Sequence, residues 1–129
     1  MVLSLGVALW LHADSAAAPS REEWRFVFTM AGTEWDVRRG TAMLERSNSS
    51  LAGRLVDTAG VEYTLTLTVA ANRAVGRLVI LASDDGPFDL KGTYIRRTVA
   101  LRPCTWTVIQ LSDGIQSLGL LRTEDICRP

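Results

Sequence analysis

The chain has 129 residues, with 14 basic and 14 acidic side chains, two cysteines and one histidine. This length suits one domain, and the balanced charge provides no field for holding nucleic-acid phosphates, so we expect no nucleic-acid partner. The longest apolar run falls short of the roughly 20 residues that span a bilayer, so we expect no integral membrane segment.

The first 17 residues have the pattern of a secretory signal peptide. Residues 2–11 form an unbroken run of apolar and small side chains, and small residues follow at 15–18 before Pro19. An apolar core followed by small residues at a cleavage site is typical of exported proteins, although no basic residue precedes this run. We predict cleavage after Ala17 and a secreted or periplasmic domain over 18–129. The alternative is that the segment is buried in the fold.

Export would change the chemistry available to the mature chain. Cleavage removes His12, the only histidine, and with it Ser-His and Cys-His catalysis and any histidine-ligated metal. In an oxidising compartment, Cys104 and Cys127 are expected to form a disulfide that stabilises the fold by about 3 kcal/mol. Two buried thiols are the alternative.

The predicted elements are strands almost throughout. Residues 20–23 have the spacing of a helix capping box, which predicts a short helical turn there. Residues 61–69 then alternate strictly, with apolar side chains at odd positions and Glu or Thr at even positions, as in a half-buried strand. Turn residues divide the chain into eight predicted strands: 24–30, 35–46, 51–57, 61–70, 74–82, 88–99, 105–111 and 115–122.

Eight consecutive strands with short connections predict an all-β fold, an antiparallel up-and-down meander that closes as a barrel. A β-sandwich is the alternative. Asp113-Gly114 predicts a tight type I′ hairpin between the last two strands. The run 78–82 is apolar on both faces, and we expect a homodimer that covers its outer side.

Carboxylates gather in the turns at one end of such a barrel. They form an acidic rim that could contact a basic partner or a cation, or they could serve only to satisfy local backbone groups in the turns. The residues are Glu34, Asp36, Asp57, Asp84, Asp85 and Asp113.

The barrel interior is the predicted place for a small apolar ligand. An eight-stranded barrel is just wide enough to be filled by side chains or to hold one small molecule. Arg96 and Arg97 lie near one aromatic candidate, and one of the two guanidinium groups could pair with an anion, the alternative being solvated surface arginine. The predicted ligand-binding residues are Tyr63, Leu67, Phe88, Tyr94 and Trp106.

The whole-domain pattern resembles the calycin barrels, which include lipocalins, fatty-acid-binding proteins and avidins. The resemblance rests on Trp24 and Trp35 around the first strands, the eight-strand meander, and Arg122 on the last strand. Lipocalins place a Gly-x-Trp motif near an arginine at the end of the barrel, whereas here two residues separate Gly32 from Trp35. The resemblance implies a role in binding a small ligand or a partner.

We therefore expect a protein that binds rather than catalyses, with no cofactor, no metal and no catalytic residue. The first hypothesis is a carrier of a small apolar molecule inside the barrel. The alternative is a filled barrel that acts through its surface as a protein-interaction or inhibitor module, with the acidic rim as the contact. A carboxylate-based hydrolase is the third and weakest option. The size of the internal cavity separates the first two.

Overall fold

A computed structural model describes residues 20–32, 34–99 and 104–123. These residues form eight strands and no helix. The strands are β1 (Ser20–Met30), β2 (Asp36–Ser47), β3 (Ser50–Asp57), β4 (Glu62–Ala70), β5 (Arg73–Ile80), β6 (Phe88–Val99), β7 (Cys104–Ser112) and β8 (Ser117–Thr123).

The strands form a closed antiparallel barrel in meander order. Each strand pairs with the next one along the chain, and β8 returns to pair with β1 through partners such as Leu120 and Phe26. The predicted eight-stranded meander barrel is confirmed, and the sandwich alternative is wrong. Closure matters physically because it leaves no unpaired sheet edge along the described strands.

Alternation along each strand decides which side chains fill the barrel. On β1 the even-numbered side chains, including Trp24, Phe26 and Phe28, point inward and are buried. On β4 the inward side chains are Tyr63, Leu65 and Leu67, as the period-two pattern predicts.

Gly40 and Gly92 are inward-facing glycines at positions where neighbouring strands approach closely. A Cβ atom at Gly40 would overlap the backbone of Val56, and one at Gly92 would overlap the carbonyl of Gln110. Only a residue without a side chain fits such an approach. These glycines therefore allow the sheet to coil tightly enough to close.

Two local predictions are wrong. Residues 20–23 belong to β1 instead of a helical turn, because they pair with residues 43–46 of β2. Glu22 lies on the inward face of β1, in line with Trp24. Asp113-Gly114 is part of a longer connection, since β8 begins only at Ser117 and Gly114 alone of the two has a positive φ. The Asp113 carboxylate accepts hydrogen bonds from two backbone amides of that connection, which stabilises the wider turn.

The apolar run 78–82 has a different explanation from the one expected. Leu78 and Ile80 point into the barrel, Val79 points outward and is half-buried, and residues 81–82 lie in the turn after β5. Only one residue of the run thus presents an apolar side chain on the outer face of the strand. The homodimer stays a prediction, but this strand gives it little apolar surface.

Two predictions fall wholly or partly outside the described residues. The signal peptide over 1–17 and the partner cysteine Cys127 both lie outside them. Cys104 is buried at the start of β7. The disulfide stays a prediction because its partner Cys127 lies outside the described residues. Among the described residues, no helix is long and apolar enough to cross a membrane.

The barrel has two ends, which we name by the course of β1. The lower end is where β1 begins at Ser20, and the upper end is where it finishes at Met30. Because the strands alternate in direction, β2, β4, β6 and β8 finish at the lower end.

Candidate functional site

The middle of the barrel is filled by the protein's own side chains. Four aromatic side chains are almost fully buried there: Trp24, Phe26, Phe28 and Tyr63. Leucines and isoleucines from strands β2 to β8 surround them. The Tyr63 ring packs edge-on against Phe26 at a centroid distance of 5.6 Å. An eight-stranded barrel can either be filled by side chains or hold one small molecule, and the middle of this barrel is filled by side chains.

The five predicted ligand-binding residues do not meet in one cavity. Tyr63 and Leu67 belong to the packed core, and Phe88 packs beside Phe28 toward the upper end, with ring centroids 5.4 Å apart. Tyr94 lies at the lower end, where its hydroxyl accepts a hydrogen bond from Arg46.

The predicted inward orientation of Trp106 is wrong. Its side chain is 46 % exposed on the outside of the barrel. Strand β7 carries apolar side chains on both faces, so alternation alone does not decide which series points inward. The register decides it, because Ile109 and Leu111 pair with the buried Leu120 and Leu118 of β8.

A buried carboxylate organises the upper end. Asp57 is 7 % exposed, and its Oδ2 accepts a hydrogen bond of 2.7 Å from the Tyr63 hydroxyl. Its Oδ1 accepts hydrogen bonds from the backbone amides of Ala59 and Val61 in the following turn. Arg38 donates to the Tyr63 oxygen and is held from the other side by Asp36. We call Asp36, Arg38, Asp57 and Tyr63 the Asp57 network.

The Asp57 network is electrostatically satisfied. Burial by itself would raise the pKa of Asp57, but the hydrogen bonds from Tyr63 and from two amides lower it below its ordinary value. Burial raises the pKa of the Tyr63 hydroxyl, and its hydrogen bond to Asp57 acts in the same direction. The network therefore ties the β3–β4 turn to the barrel wall and has the character of a structural element.

A second buried carboxylate lies at the lower end. Glu22 is 6 % exposed, and its Oε2 accepts a hydrogen bond of 2.8 Å from Arg46 Nε. Trp24 Nε1 donates to its other oxygen at 3.2 Å, and Arg122 Nη1 lies 3.8 Å from Oε2. Trp24 and Arg122 thus both contact the Glu22 carboxylate. Trp35, the other tryptophan of the calycin resemblance, is exposed at the opposite end of the barrel.

The charges around Glu22 keep it ionised. Burial alone would raise the pKa of Glu22, but the hydrogen bond with Arg46 and the positive charges of Arg46 and Arg122 lower it below the ordinary value. The same contact raises the pKa of Arg46. The sequence does not reveal this site directly, because the capping-box spacing predicts a helical turn over 20–23. The signal was the alternation itself, since Glu22 continues the inward series of Trp24 and Phe26.

An open depression lies on the outer face of β1, β7 and β8, which we call the outer groove. Its volume is about 480 Å³. Gly119 forms part of its floor, because it pairs with Val27 on one side and Gln110 on the other and has no side chain to fill the space. The outward-facing side chains that line the groove are Arg25, Val27, Thr29, Val108, Gln110, Ser117 and Leu121.

The acidic rim is partly occupied by local contacts. Asp57 lies inside the barrel, Asp36 forms a salt bridge with Arg38, and Asp113 accepts backbone hydrogen bonds in its own turn. Among the described residues, no cluster of three or more potential metal-ligating side chains is found. Asp57 and Asp113 accept hydrogen bonds from backbone amides in their turns, as the turn-chemistry alternative predicts, whereas Asp36 pairs with the Arg38 side chain.

The chain was compared with known proteins at three levels. No protein family, curated protein or solved structure matches it. The similarity to calycin barrels stays a resemblance of strand number and order. The function has to be argued from the geometry of this molecule.

Proposed function

We propose that the protein is a non-catalytic binding module that recognises another protein through its outer groove. The observation that carries this proposal is the packed interior, together with an open apolar groove on the outside. A carrier of a small apolar molecule needs an internal cavity, whereas aromatic and aliphatic side chains of the described core occupy that space. The surface role therefore has more support than the carrier role.

The groove has the composition of a protein-binding surface. Val27, Val108 and Leu121 present apolar side chains around Gly119, and Leu121 and Val27 are exposed. Nearby on the same outer face, Trp106 and Ile95 are also exposed. Aromatic and aliphatic side chains grouped on a surface are typical of binding sites, because covering them removes apolar area from water.

The charge of the groove indicates the chemistry of its partner. Arg25 lines it, and no carboxylate is among the lining residues. Arg25 also makes no ion pair within the described part of the chain. A partner segment that combines aliphatic side chains with a carboxylate would complement both features.

The test is to fill the groove without unfolding the barrel. Gly119→Thr adds a β-branched side chain suited to a strand, and its Cβ would meet only the flexible amide of Gln110, at 3.2 Å. Val75→Glu on β5 is the matched control, because Val75 is also exposed on the outside but lies away from the groove. Each form is used to capture proteins from the compartment of its own host, and bound proteins are quantified.

We expect at least one acidic protein to bind wild type and Val75→Glu and to be lost with Gly119→Thr. Its affinity for purified wild-type protein should fall at least about tenfold in the Gly119→Thr variant, because a blocked hot spot costs more than about 1.4 kcal/mol. Equal binding by all three forms would rule out the groove as the recognition surface.

The proposal includes export, on the basis of the pattern of residues 1–17. The mature protein from its own host should begin at Ala18, and N-terminal sequencing tests this. A chain that begins at residue 1 or 2 after purification from the cytoplasm would contradict it.

A further inference from the structure

Two inward-facing arginines lie in one row across three adjacent strands at the lower end. Arg96 of β6 pairs with Thr107 of β7, and Thr107 pairs with Arg122 of β8. Paired residues point to the same face of a sheet, and Thr107 is buried, so the row faces the barrel axis. The Cα atoms of the two arginines are two strand spacings apart, about 10 Å, which their long side chains can bridge to reach one ligand.

Arg46 and Tyr94 complete the surroundings. Arg46 Nη2 lies 3.5 Å from the Tyr94 hydroxyl oxygen, and its guanidinium carbon is 5.9 Å from the centre of the Tyr94 ring. Because this hydroxyl accepts the hydrogen bond from Arg46, its own hydrogen can be donated elsewhere. Tyr94 and Arg96 are two residues apart on β6 and thus share a face. We call Glu22, Arg46, Tyr94, Arg96, Thr107 and Arg122 the arginine mouth.

Arginines outnumber carboxylates among the described members of the arginine mouth. These members include Arg46, Arg96 and Arg122 but one carboxylate, Glu22. The contacts of Glu22 go to Arg46 and Arg122. Within the described residues, the Arg96 side chain makes no hydrogen bond and no ion pair. Arg96 therefore presents its donors to solvent beside a tyrosine hydroxyl and two further guanidinium groups.

We propose that the arginine mouth binds a doubly charged oxyanion, such as a phosphate group on a small molecule. The planar guanidinium edge of Arg96 pairs with two oxygens of the anion, and the Tyr94 hydroxyl donates to it. This site is separate from the outer groove, so either proposal can fail without the other.

The probe is inorganic phosphate, titrated into the full chain at constant ionic strength with sodium chloride as the balancing salt. The amide signals of Tyr94 and Thr107 and the Nε–H signal of Arg46 are followed by NMR. We expect saturable shifts at these positions. Acetate, with one charge, should bind more weakly than phosphate.

Arg96→Gln and Arg97→Gln form a matched pair of variants. The two arginines are neighbours on β6 and both are exposed, but Arg97 belongs to the outward series. Loss of a bidentate, charge-assisted contact should weaken phosphate binding by Arg96→Gln at least about tenfold, whereas Arg97→Gln should stay within about twofold of wild type. Arg96→Lys keeps the charge without the planar edge and should lie between them.

Three results would overturn the proposal. The first is a linear shift that does not saturate, which indicates general screening. The second is an equal loss of binding in Arg96→Gln and Arg97→Gln, which indicates diffuse surface charge. The third is full affinity in Arg96→Gln. Thermal melting of each variant checks the fold, and because the Arg96 side chain has no described partner we expect all three variants to melt like wild type.

Discussion

Each end of the barrel contains a buried carboxylate, but the charged groups around the two carboxylates differ. In the Asp57 network at the upper end, Asp57 is surrounded by hydrogen-bond donors, and Arg38 is matched by Asp36 and by the Tyr63–Asp57 pair. Among the described members of the arginine mouth at the lower end, one carboxylate, Glu22, is shared by Arg46 and Arg122 while Arg96 lies beside them. The Asp57 network thus contains more carboxylates than arginines, whereas arginines outnumber carboxylates among the described members of the arginine mouth, and this difference supports the proposal of an anion site at the lower end.

The packed middle separates these two ends, and removing part of it should have the largest effect. Phe26→Ala leaves a cavity where a fully buried ring packs against Tyr63, and we expect the free energy of unfolding to fall by about 3–5 kcal/mol. Val27→Ala is the control, because Val27 is the next residue on β1 but is 39 % exposed, and it should cost less than about 1 kcal/mol. Denaturation in urea measures both. Similar losses in the two variants would contradict a packed interior.

The Asp57 network should respond to mutation by losing stability alone. Asp57→Asn removes a charged acceptor from Tyr63 and from two backbone amides, and we expect a loss of about 2–3 kcal/mol. Asp89→Asn, which breaks only an exposed ion pair with Arg77, should leave the free energy of unfolding close to that of wild type. Phosphate binding should be unchanged in both. A change in phosphate binding on Asp57→Asn would show that the ends are not independent.

Glu22→Gln should cost less and should alter binding as well. The Arg46 side chain is 27 % exposed and can turn toward water when its partner loses its charge, so we expect a loss of about 1–2 kcal/mol. The substitution removes the one negative charge among the described members of the arginine mouth, so phosphate should bind more tightly than in wild type. A loss of stability as large as that of Asp57→Asn, with weaker phosphate binding, would mean that the lower end is also purely structural.

The smallest expected effect is on pH dependence. The pKa of Glu22 lies below its ordinary 4.5 and that of Asp57 below its ordinary 3.8, so each contributes stability above its unfolded pKa. That stability is lost as the pH falls through the lowered, folded pKa. The free energy of unfolding should thus decline as the pH falls below about 5, and less steeply in Glu22→Gln and in Asp57→Asn. Slopes as steep as wild type in both variants would assign the acid dependence to other carboxylates.

Much of the fold could be predicted from the sequence because β4 alternates strictly and turn residues recur at short intervals. Eight sequential strands with short connections then favour a closed barrel over the β-sandwich alternative. The phase of β7 could not be predicted, because Trp106 and Val108 compete with Ile109 and Leu111, and only pairing with β8 separates the two series. Period-two alternation identifies the inward-facing side chains of a strand that has one apolar face. It cannot do so for a strand, such as β7, that has apolar side chains on both faces.

The candidate sites were harder to predict for a different reason. The outer groove depends on Gly119, whose missing side chain has meaning only once β1 and β7 lie beside it. The arginine mouth joins β1, β2, β6, β7 and β8, so it depends on long-range register. Its local signal was the pair Arg96-Arg97, from which a single guanidinium was expected to face an anion. The register identifies Arg96 as the inward-facing member.

The central claim is that this barrel binds at its surface and fills its interior with its own side chains. Native mass spectrometry of the protein purified from its own host tests this most directly, because each state has a different mass. We predict the mass of the chain alone, of a complex with another protein, or of either with a phosphate-sized anion. A stoichiometric apolar small molecule that stays bound in the Gly119→Thr and Arg96→Gln variants, and is released only on unfolding, would contradict the account.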